Sequence, residues 1–210
     1  HTILERYGMS ETVMLSSNPY AADKRHGGQT ERRGGTVGFP LPGVKLRVQG
    51  DDGKALPVGE IGNIQVKGPN VFQAYWRMPE KTKEEFTADG FFKTGDIAYM
   101  TADGYVKIID RKKDTIVVSG FNVYPNEVEE VLMMMPEVLE CAAVGVKDGP
   151  AGEAVKVFIV KKDLGLTESQ VLEYCKTQLT NYKRPKFVEF RTELPKSTVG
   201  KILRRELRDS

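Results

Sequence analysis

A change of hydrophobic pattern at residues 110–113, Asp-Arg-Lys-Lys, is the feature that most constrains the fold of this chain. Before this tetrapeptide, short runs such as residues 44–48 and 61–66 alternate apolar and polar side chains, with the period of two that is typical of β-strands. After it, apolar strand patterns alternate with amphipathic helix patterns. The sequence therefore predicts an α+β protein, with a β-rich unit over residues 1–110 and a compact α+β unit over residues 114–210.

Turn residues and helix-opening residues set the boundaries of the individual elements. Strands are predicted over residues 2–7, 44–48, 61–66, 105–109, 115–118, 138–146, 155–160 and 187–190. Helices are predicted over residues 79–86, 125–135, 167–179 and 202–207, and residues 16–36 are predicted to be a loop. The charged residues 110–114 are typical of a solvated linker, and a linker between two compact units can also be a hinge.

Composition excludes several classes of protein. The chain has 210 residues, of which 40% are hydrophobic and 29% charged, as is ordinary for a globular protein. A net charge of +2 is too small to indicate a nucleic-acid binder. No apolar run approaches the roughly 18 residues of a membrane span. Because the first residue is His1 rather than Met, we expect a processed chain or a piece of a longer one.

Cysteine and histidine usage narrows the chemistry further. Cys141 and Cys175 both lie in apolar contexts, which favours buried thiols in a reducing compartment such as the cytoplasm. Two histidines, His1 and His26, are too few and too poorly surrounded for a Ser-His-Asp triad or a zinc centre. The chain also lacks the glycine spacings of a dinucleotide-binding Rossmann site and of a phosphate-binding P-loop.

Four motifs carry candidate nucleotide chemistry. Tyr7-Gly-Met-Ser-Glu-Thr12 combines an aromatic ring that can stack on a base, a hydroxyl that can bond to a phosphate and a carboxylate that can hold Mg²⁺. In Phe92-Lys-Thr-Gly-Asp96, the carboxylate can accept hydrogen bonds from ribose hydroxyls. The charged residues 110–114 precede Ser119-Gly-Phe-Asn-Val-Tyr-Pro125, and Pro195-Lys-Ser-Thr-Val-Gly-Lys201 ends in a lysine that can reach a phosphate. Taken singly, each motif is more typical of a surface turn or linker.

In this order and spacing, the four motifs together resemble the C-terminal portion of the adenylate-forming acyl-CoA synthetases, the superfamily of firefly luciferase and peptide-synthetase adenylation domains. The resemblance covers essentially the whole chain. It implies that residues 1–110 are the C-terminal, β-rich part of the large AMP-binding lobe, that residues 111–113 are a hinge and that residues 114–210 are the mobile C-terminal domain. The family uses ATP to convert a carboxylic acid into an acyl-adenylate, releases pyrophosphate and then transfers the acyl group to CoA.

The resemblance also implies roles for individual residues of the first unit. Tyr7 should stack on adenine, Ser10 should touch the α-phosphate and Glu11 should hold Mg²⁺. Asp96 should bind the ribose hydroxyls, and Arg111 should also reach the ribose.

Three residues of the second unit complete the expected site. Lys113 falls at the hinge position, where many relatives carry Asp. Gly120 should line the tunnel for the pantetheine arm of CoA, and Lys201 should bridge the carboxylate and the α-phosphate during adenylation. A cation that contacts both anions as they approach stabilises charge that develops only in the transition state. Rotation of the domain would then withdraw Lys201 and admit CoA.

The acyl substrate is less constrained than the reaction. Residues 1–105 look most like malonyl-CoA synthetases and residues 105–210 most like bacterial long-chain fatty acid–CoA ligases. We expect a fatty acid as substrate, with malonate as the alternative, and a lipid substrate would allow peripheral membrane contact. Nucleic acid is not expected as a partner.

Family members also carry a Ser/Thr/Gly-rich phosphate loop and most of the acyl pocket in an N-terminal part that this chain lacks, so the chain alone is expected to be inactive. Two other functions stay open, namely an adenylation domain that loads a carrier protein and a non-catalytic nucleotide-binding module.

Overall fold

The structure, a computed structural model, describes residues 3–20, 31–149 and 152–208. The chain divides at the Lys112–Lys113 peptide bond into two compact units. Within the described residues, no sheet pairs a strand from before this point with a strand from after it. None of the described helices is long and apolar enough to cross a membrane.

The N-terminal unit consists of two antiparallel sheets and one helix. Its strands are β1 (Arg6–Met9), β2 (Val13–Ser17), β3 (Phe39–Pro40), β4 (Lys45–Gln49), β5 (Gly62–Lys67), β6 (Phe92–Met100) and β7 (Val106–Arg111), and its helix is α1 (Pro79–Glu85). One sheet has the order β1-β2-β3 and the other the order β4-β5-β6-β7. Alternate residues of these strands face one core, as the period-two pattern predicts. That core contains Tyr7, Leu15, Ile64, Val66, Phe92, Ala98 and Val106.

The C-terminal unit is a three-stranded sheet covered by helices, with a separate hairpin. Its elements are β8 (Ile116–Val118), β9 (Phe121–Val123), α2 (Pro125–Met133), β10 (Val138–Lys147), β11 (Glu153–Lys161), α3 (Glu168–Gln178), β12 (Phe187–Arg191) and α4 (Arg204–Arg208). Strand β11 pairs antiparallel with β10 and parallel with β12. The parallel pair requires a crossover, which α3 supplies.

Local sequence signals account for several of these elements. Thr167 caps α3 as predicted: its side chain accepts a hydrogen bond from the Gln170 amide, while the Gln170 side chain bonds back to the Thr167 amide. Both cysteines are free and buried, as expected. Burial raises the pKa of Cys141 to about 12 and that of Cys175 to about 11, so neither thiol is an activated nucleophile at neutral pH.

Two predicted boundaries in the N-terminal unit are wrong. The first strand covers Arg6–Met9 rather than residues 2–7, so it continues into the Tyr7 motif as far as Met9. Ser16 and Ser17 belong to β2, because β1 pairs with it, and not to the loop predicted over residues 16–36. Residues 21–30 of that predicted loop lie outside the described residues, as does His26.

Cross-strand pairing and burial overrule three other local interpretations. The turn predicted at residues 92–96 is part of the nine-residue strand β6, which is paired on both sides. Asp110 is only 3% exposed and lies in β7, so the charged segment is not wholly a solvated linker. Ile202 forms a β-bridge with Lys196 instead of opening the last helix, which begins at Arg204.

Leu132→Ala should destabilise the C-terminal unit by about 2–5 kcal/mol, because it leaves a cavity where a fully buried side chain packed. Leu139→Ala is the matched control, since Leu139 is 52% exposed in the same unit. The control should change stability by less than about 0.5 kcal/mol. Urea-dependent hydrogen exchange of peptides from this unit measures both effects, and equal losses would contradict the packing described.

Candidate functional site

The β1–β2 hairpin carries three of the predicted site residues. Tyr7 is buried in β1, while Ser10 and Glu11 lie at the hairpin tip, with Ser10 exposed and Glu11 half-buried. The strands approach so closely that a Cβ atom at Gly8 would lie 1.8 Å from the carbonyl oxygen of Val13. Glycine is therefore required at this position of the motif.

The phenol of Tyr7 is bonded to a second predicted site residue. Its hydroxyl donates a 2.5 Å hydrogen bond to Oδ2 of Asp96. Asp96 faces Arg111 in the β6–β7 register, so the cationic residue lies beside the carboxylate. Burial, together with the Asp96 charge, raises the pKa of Tyr7 well above its ordinary value, so the phenol remains a donor. Tyr7, Asp96 and Arg111 therefore form one corner of the unit, which we call the Tyr7–Asp96 corner.

A separate segment supports the hairpin tip. The hydroxyl of Tyr75 lies 3.2 Å from Oε1 of Glu11 and donates to it, and the Phe72 amide donates to the Glu11 carbonyl at 2.8 Å. The Asn70 amide group donates to the carbonyls of Thr12 and Met14 at 2.8 Å and 2.7 Å. These supports are not predictable from the sequence, because nothing local to residues 70–75 indicates contact with a hairpin some sixty positions earlier.

Val13 closes the same tip with a strained backbone. Its φ angle is +56°, in the left-handed region that a β-branched residue rarely adopts. Such an outlier costs on the order of 1–3 kcal/mol and persists only where neighbouring contacts fix it. The two bonds from Asn70 lie on the residues flanking Val13 and supply that restraint.

Glu11 offers the hard oxygen ligand that Mg²⁺ prefers. Nucleotide sites commonly hold Mg²⁺ by one or two carboxylates, with phosphate and water oxygens completing the shell. No group of three or more His, Cys, Asp or Glu side chains suited to a metal occurs among the described residues. A single carboxylate of this kind can serve as one protein ligand of Mg²⁺ where phosphate and water oxygens supply the others.

The other three predicted residues lie on the C-terminal unit and are exposed. Lys113 begins the unit, and its carbonyl accepts a hydrogen bond from Arg208. Ser119 and Gly120 form the two-residue turn of the β8–β9 hairpin, and both have positive φ, which is the pattern of a type I′ turn. No atom lies within 4 Å of a Cβ atom placed on Gly120, so its surface is open.

Lys201 lies on a short turn just before α4. The Ser197 amide donates to the Lys201 carbonyl at 2.8 Å, and the Lys201 amide donates to Oγ of Ser197 at 3.2 Å. Gly200 takes φ +79°, which the reversal of the chain requires. The turn presents the lysine side chain to solvent.

A polar groove of about 640 Å³ lies on the sheet face next to the Tyr7–Asp96 corner. Gly95 lines it, but the chemistry-bearing Asp96 does not. Two of its cations are paired, since Arg47 contacts Asp89 at 2.6 Å and Lys112 contacts Asp51 at 2.7 Å. The groove lacks the motif carboxylate, whereas the Tyr7–Asp96 corner carries the motif residues, and we place the candidate site at the corner.

Comparison with protein families identifies the class of protein that carries this corner. Residues 1–76 match the model of the AMP-binding enzyme family, and residues 127–201 match that of the AMP-binding enzyme C-terminal domain. The chain belongs to the AMP-binding enzyme family and corresponds to the C-terminal portion of its members.

Similar curated proteins are CoA ligases. The chain is 51% identical over 208 residues to a long-chain-fatty-acid–CoA ligase of Escherichia coli, a match covering 99% of this chain and 36% of that protein. It is 38% identical over 222 residues to a malonate–CoA ligase of Arabidopsis thaliana, covering 100% of this chain and 35% of that protein. The chain thus spans about a third of the length of these relatives.

Solved structures share the fold. ATP-bound MatB from Rhodopseudomonas palustris has a TM-score of 0.91 at 48% identity, covering 100% of this chain and 40% of that chain. The o-succinylbenzoate CoA synthetase of Bacillus subtilis, in complex with its acyl-adenylate intermediate, has a TM-score of 0.84 at 30% identity, covering 99% of this chain and 41% of that chain.

The Tyr75–Glu11 contact predicts a specific titration. Burial and the Glu11 charge raise the pKa of Tyr75 from 10.0 to about 12. The tyrosinate absorbance of the wild type minus that of Tyr75→Phe should therefore titrate with a midpoint near pH 12. Because the folded pKa exceeds the unfolded one, the stabilising contribution is complete below about pH 10 and is lost as the pH rises to about 12.

Glu11→Gln should lower this midpoint, since it removes the neighbouring charge while burial remains. The same midpoint with and without the Glu11 carboxylate would show that the two side chains are not in contact.

Proposed function

We propose that this chain is the C-terminal part of an ATP-dependent acyl-CoA ligase, which forms an acyl-adenylate from a carboxylic acid and transfers the acyl group to CoA. The observation that carries the proposal is the Tyr7–Asp96 corner, where Tyr7 and Asp96 are hydrogen-bonded beside Arg111. Its chemistry suits the adenosine of ATP, and the named relatives are CoA ligases.

In this proposal, the Tyr7–Asp96 corner binds the nucleoside. A carboxylate can accept hydrogen bonds from both ribose hydroxyls, and the bond from Tyr7 fixes the orientation of the Asp96 carboxylate before the nucleotide arrives. Arg111 adds a cation close to the ribose. Tyr7 is 9% exposed, and the proposal assigns the accessible part of its ring to adenine.

The hairpin tip is proposed to hold the triphosphate. The Ser10 hydroxyl would donate to an α-phosphate oxygen, and the Glu11 carboxylate, held by Tyr75, would be the protein ligand of Mg²⁺. When bound, Mg²⁺ supplies positive charge that offsets the charge of the leaving pyrophosphate.

The exposed residues of the C-terminal unit are proposed to serve the two half-reactions in turn. Lys201 would contact the carboxylate and the α-phosphate while they react, stabilising charge that neither ground state carries. Rotation at Lys113 would then withdraw it, and the open Gly120 turn would line the path of the pantetheine arm. Lys113 differs from the Asp of many relatives in charge but keeps an exposed position suited to a hinge.

The relatives support CoA rather than a carrier protein as the acyl acceptor, because both curated proteins described above are named CoA ligases. We propose a fatty acid as the carboxylic acid substrate, since the relative with 51% identity is a long-chain-fatty-acid–CoA ligase. Malonate is the second candidate, supported by the likeness to malonate–CoA ligase. A long acyl chain would bring peripheral contact with a membrane surface.

The 210-residue chain by itself should bind AMP or ATP weakly and turn over no acid, because it spans only about a third of the length of its relatives. Calorimetry with AMP and an assay for pyrophosphate release test this expectation. Robust ligase activity from these residues alone would contradict it.

In the full-length enzyme, Lys201→Ala should slow acyl-adenylate formation about a hundredfold, as expected for the loss of about 3 kcal/mol of transition-state stabilisation. Thioester formation from supplied acyl-adenylate should be nearly unchanged. Lys176→Ala, which removes an exposed lysine of α3, is the control. If Lys201→Ala slowed both half-reactions equally, the result would indicate a structural role for this lysine.

Gly120→Leu should show the opposite pattern, slowing thioester formation while sparing adenylation, because a side chain there obstructs the pantetheine path. Gly149→Leu is the matched control, since Gly149 also has positive φ and open space around it within the same unit. Both variants carry the same kind of backbone strain, so a selective effect of Gly120→Leu reports on the path itself. Identical effects of the two variants would reduce the role of Gly120 to backbone geometry.

A further inference from the structure

Two arginines attach the terminal helix α4 to the rest of the C-terminal unit. Arg204 places Nη2 2.6 Å from Oε2 of Glu129 and Nε 3.0 Å from Oε1 of the same carboxylate, and it also donates to Asn126 at 2.6 Å. Arg208 donates to Oδ1 of Asp114 at 3.0 Å and to the Lys113 carbonyl at 3.1 Å. We call these contacts the arginine clamp.

The clamp is largely shielded from solvent and balanced in charge. The side chains of Arg204 and Glu129 are 19% and 15% exposed, and that of Asp114 is 11% exposed. Two guanidinium groups face two carboxylates, and Glu129 also accepts the Ala143 amide of β10 at 2.8 Å. Removing one partner would leave a shielded charge without its counterion, which is destabilising. Removing one partner of an exposed surface pair has little effect, because water solvates the remaining charge.

The clamp begins three residues after Lys201. The turn that carries this lysine is closed by bonds from Leu203 to the Pro195 carbonyl and from Ser197 to the Lys201 carbonyl, both at 2.8 Å. Its other end is tied to β10 by the ion pair between Lys196 and Glu140, at 2.5 Å. The turn itself is exposed and contains a flexible glycine, so its position depends on these two attachments.

From this geometry we infer that Arg204 and Arg208 are positioning residues for Lys201. Arg204 fixes the base of the lysine turn to α2 and, through Glu129, to β10. Arg208 fixes the same helix to the carbonyl of Lys113, the proposed hinge residue. The lysine turn and the start of the unit therefore move as one body. The inference rests on the proposed role of Lys201, since a clamp of this kind matters to catalysis only if the turn carries a reacting group.

Catalysis explains why such a clamp would be needed. A lysine that must contact two reacting anions has a long, flexible stem, so its backbone has to be placed within about 1 Å for the contact to form. Supporting contacts that lock the backbone reduce the number of unproductive orientations. Hydrophobic packing of Leu194 and Leu207 holds the region in place, while the directional bonds of the clamp fix its register.

The first part of the test is hydrogen exchange on the 210-residue chain. Arg204→Gln should raise exchange of the Ser197, Gly200 and Leu203 amides about tenfold, because the turn loses one of its attachments. The amides of β11 should keep their protection. Val171→Ala is the matched control: it removes packing from a fully buried position of the same unit but touches no part of the clamp. It should not raise exchange selectively in the lysine turn.

The second part measures both half-reactions in the full-length enzyme. Arg204→Gln should slow adenylation about tenfold, with thioester formation changed less than about twofold. The double variant with Lys201→Ala should be no slower than Lys201→Ala alone, because the arginine acts through the lysine. Val171→Ala should lower thermal stability without separating the half-reactions.

Two outcomes overturn the inference. One is an increase of exchange in Arg204→Gln that is spread over the whole unit, as in Val171→Ala. The other is a double variant of Arg204→Gln with Lys201→Ala in which the two losses of adenylation rate multiply. Failure of the proposed function looks different: Lys201→Ala would leave adenylation intact, whatever Arg204→Gln does to exchange in the turn.

Discussion

One hydrogen bond, from the Tyr7 hydroxyl to the Asp96 carboxylate, joins the two sheets of the N-terminal unit at the candidate site. Tyr7 belongs to the β1-β2-β3 sheet and Asp96 to the β4-β5-β6-β7 sheet, 89 positions apart in sequence. Burial keeps the phenol protonated, so the carboxylate is held in one orientation with Arg111 beside it. The same contact therefore organises the fold locally and prepares an acceptor for hydroxyl donors.

The hairpin that begins with Tyr7 extends this organisation to the proposed phosphate end. Gly8 permits the close approach of the strands, and contacts from residues 70–75 hold the strained tip. The C-terminal unit follows a different plan, because its proposed catalytic lysine lies on an exposed turn rather than in a core. Shielded ion pairs around α4 add directional restraint to the packing of Leu194 and Leu207 beside this turn.

The features that the sequence predicts correctly are local. The α+β class, the alternation of β4 and β5, the cap at Thr167 and the buried cysteines all follow from patterns a few residues long. The motif residues were located through a family resemblance, and the family models bear that membership out. Their individual roles remain proposals.

What the sequence did not reveal depends on long-range pairing. Phe92-Lys-Thr-Gly-Asp96 has the composition of a turn, yet pairing on both sides makes it part of β6. The supports at Tyr75 and Arg204 act across 64 and 75 positions of sequence, and no local pattern specifies such partners. Asp110 is charged but buried within a strand, against the expectation from its charged neighbours.

The most direct test of the account is the binding of AMP to the 210-residue chain, mapped by amide NMR. The account predicts that the Tyr7, Asp96 and Arg111 amides shift with one common saturation curve, and that Asp96→Asn weakens binding about tenfold through the loss of a charge-assisted hydrogen bond. Shifts confined to the neighbouring groove around Arg47, with no response at the Tyr7–Asp96 corner, would contradict this prediction.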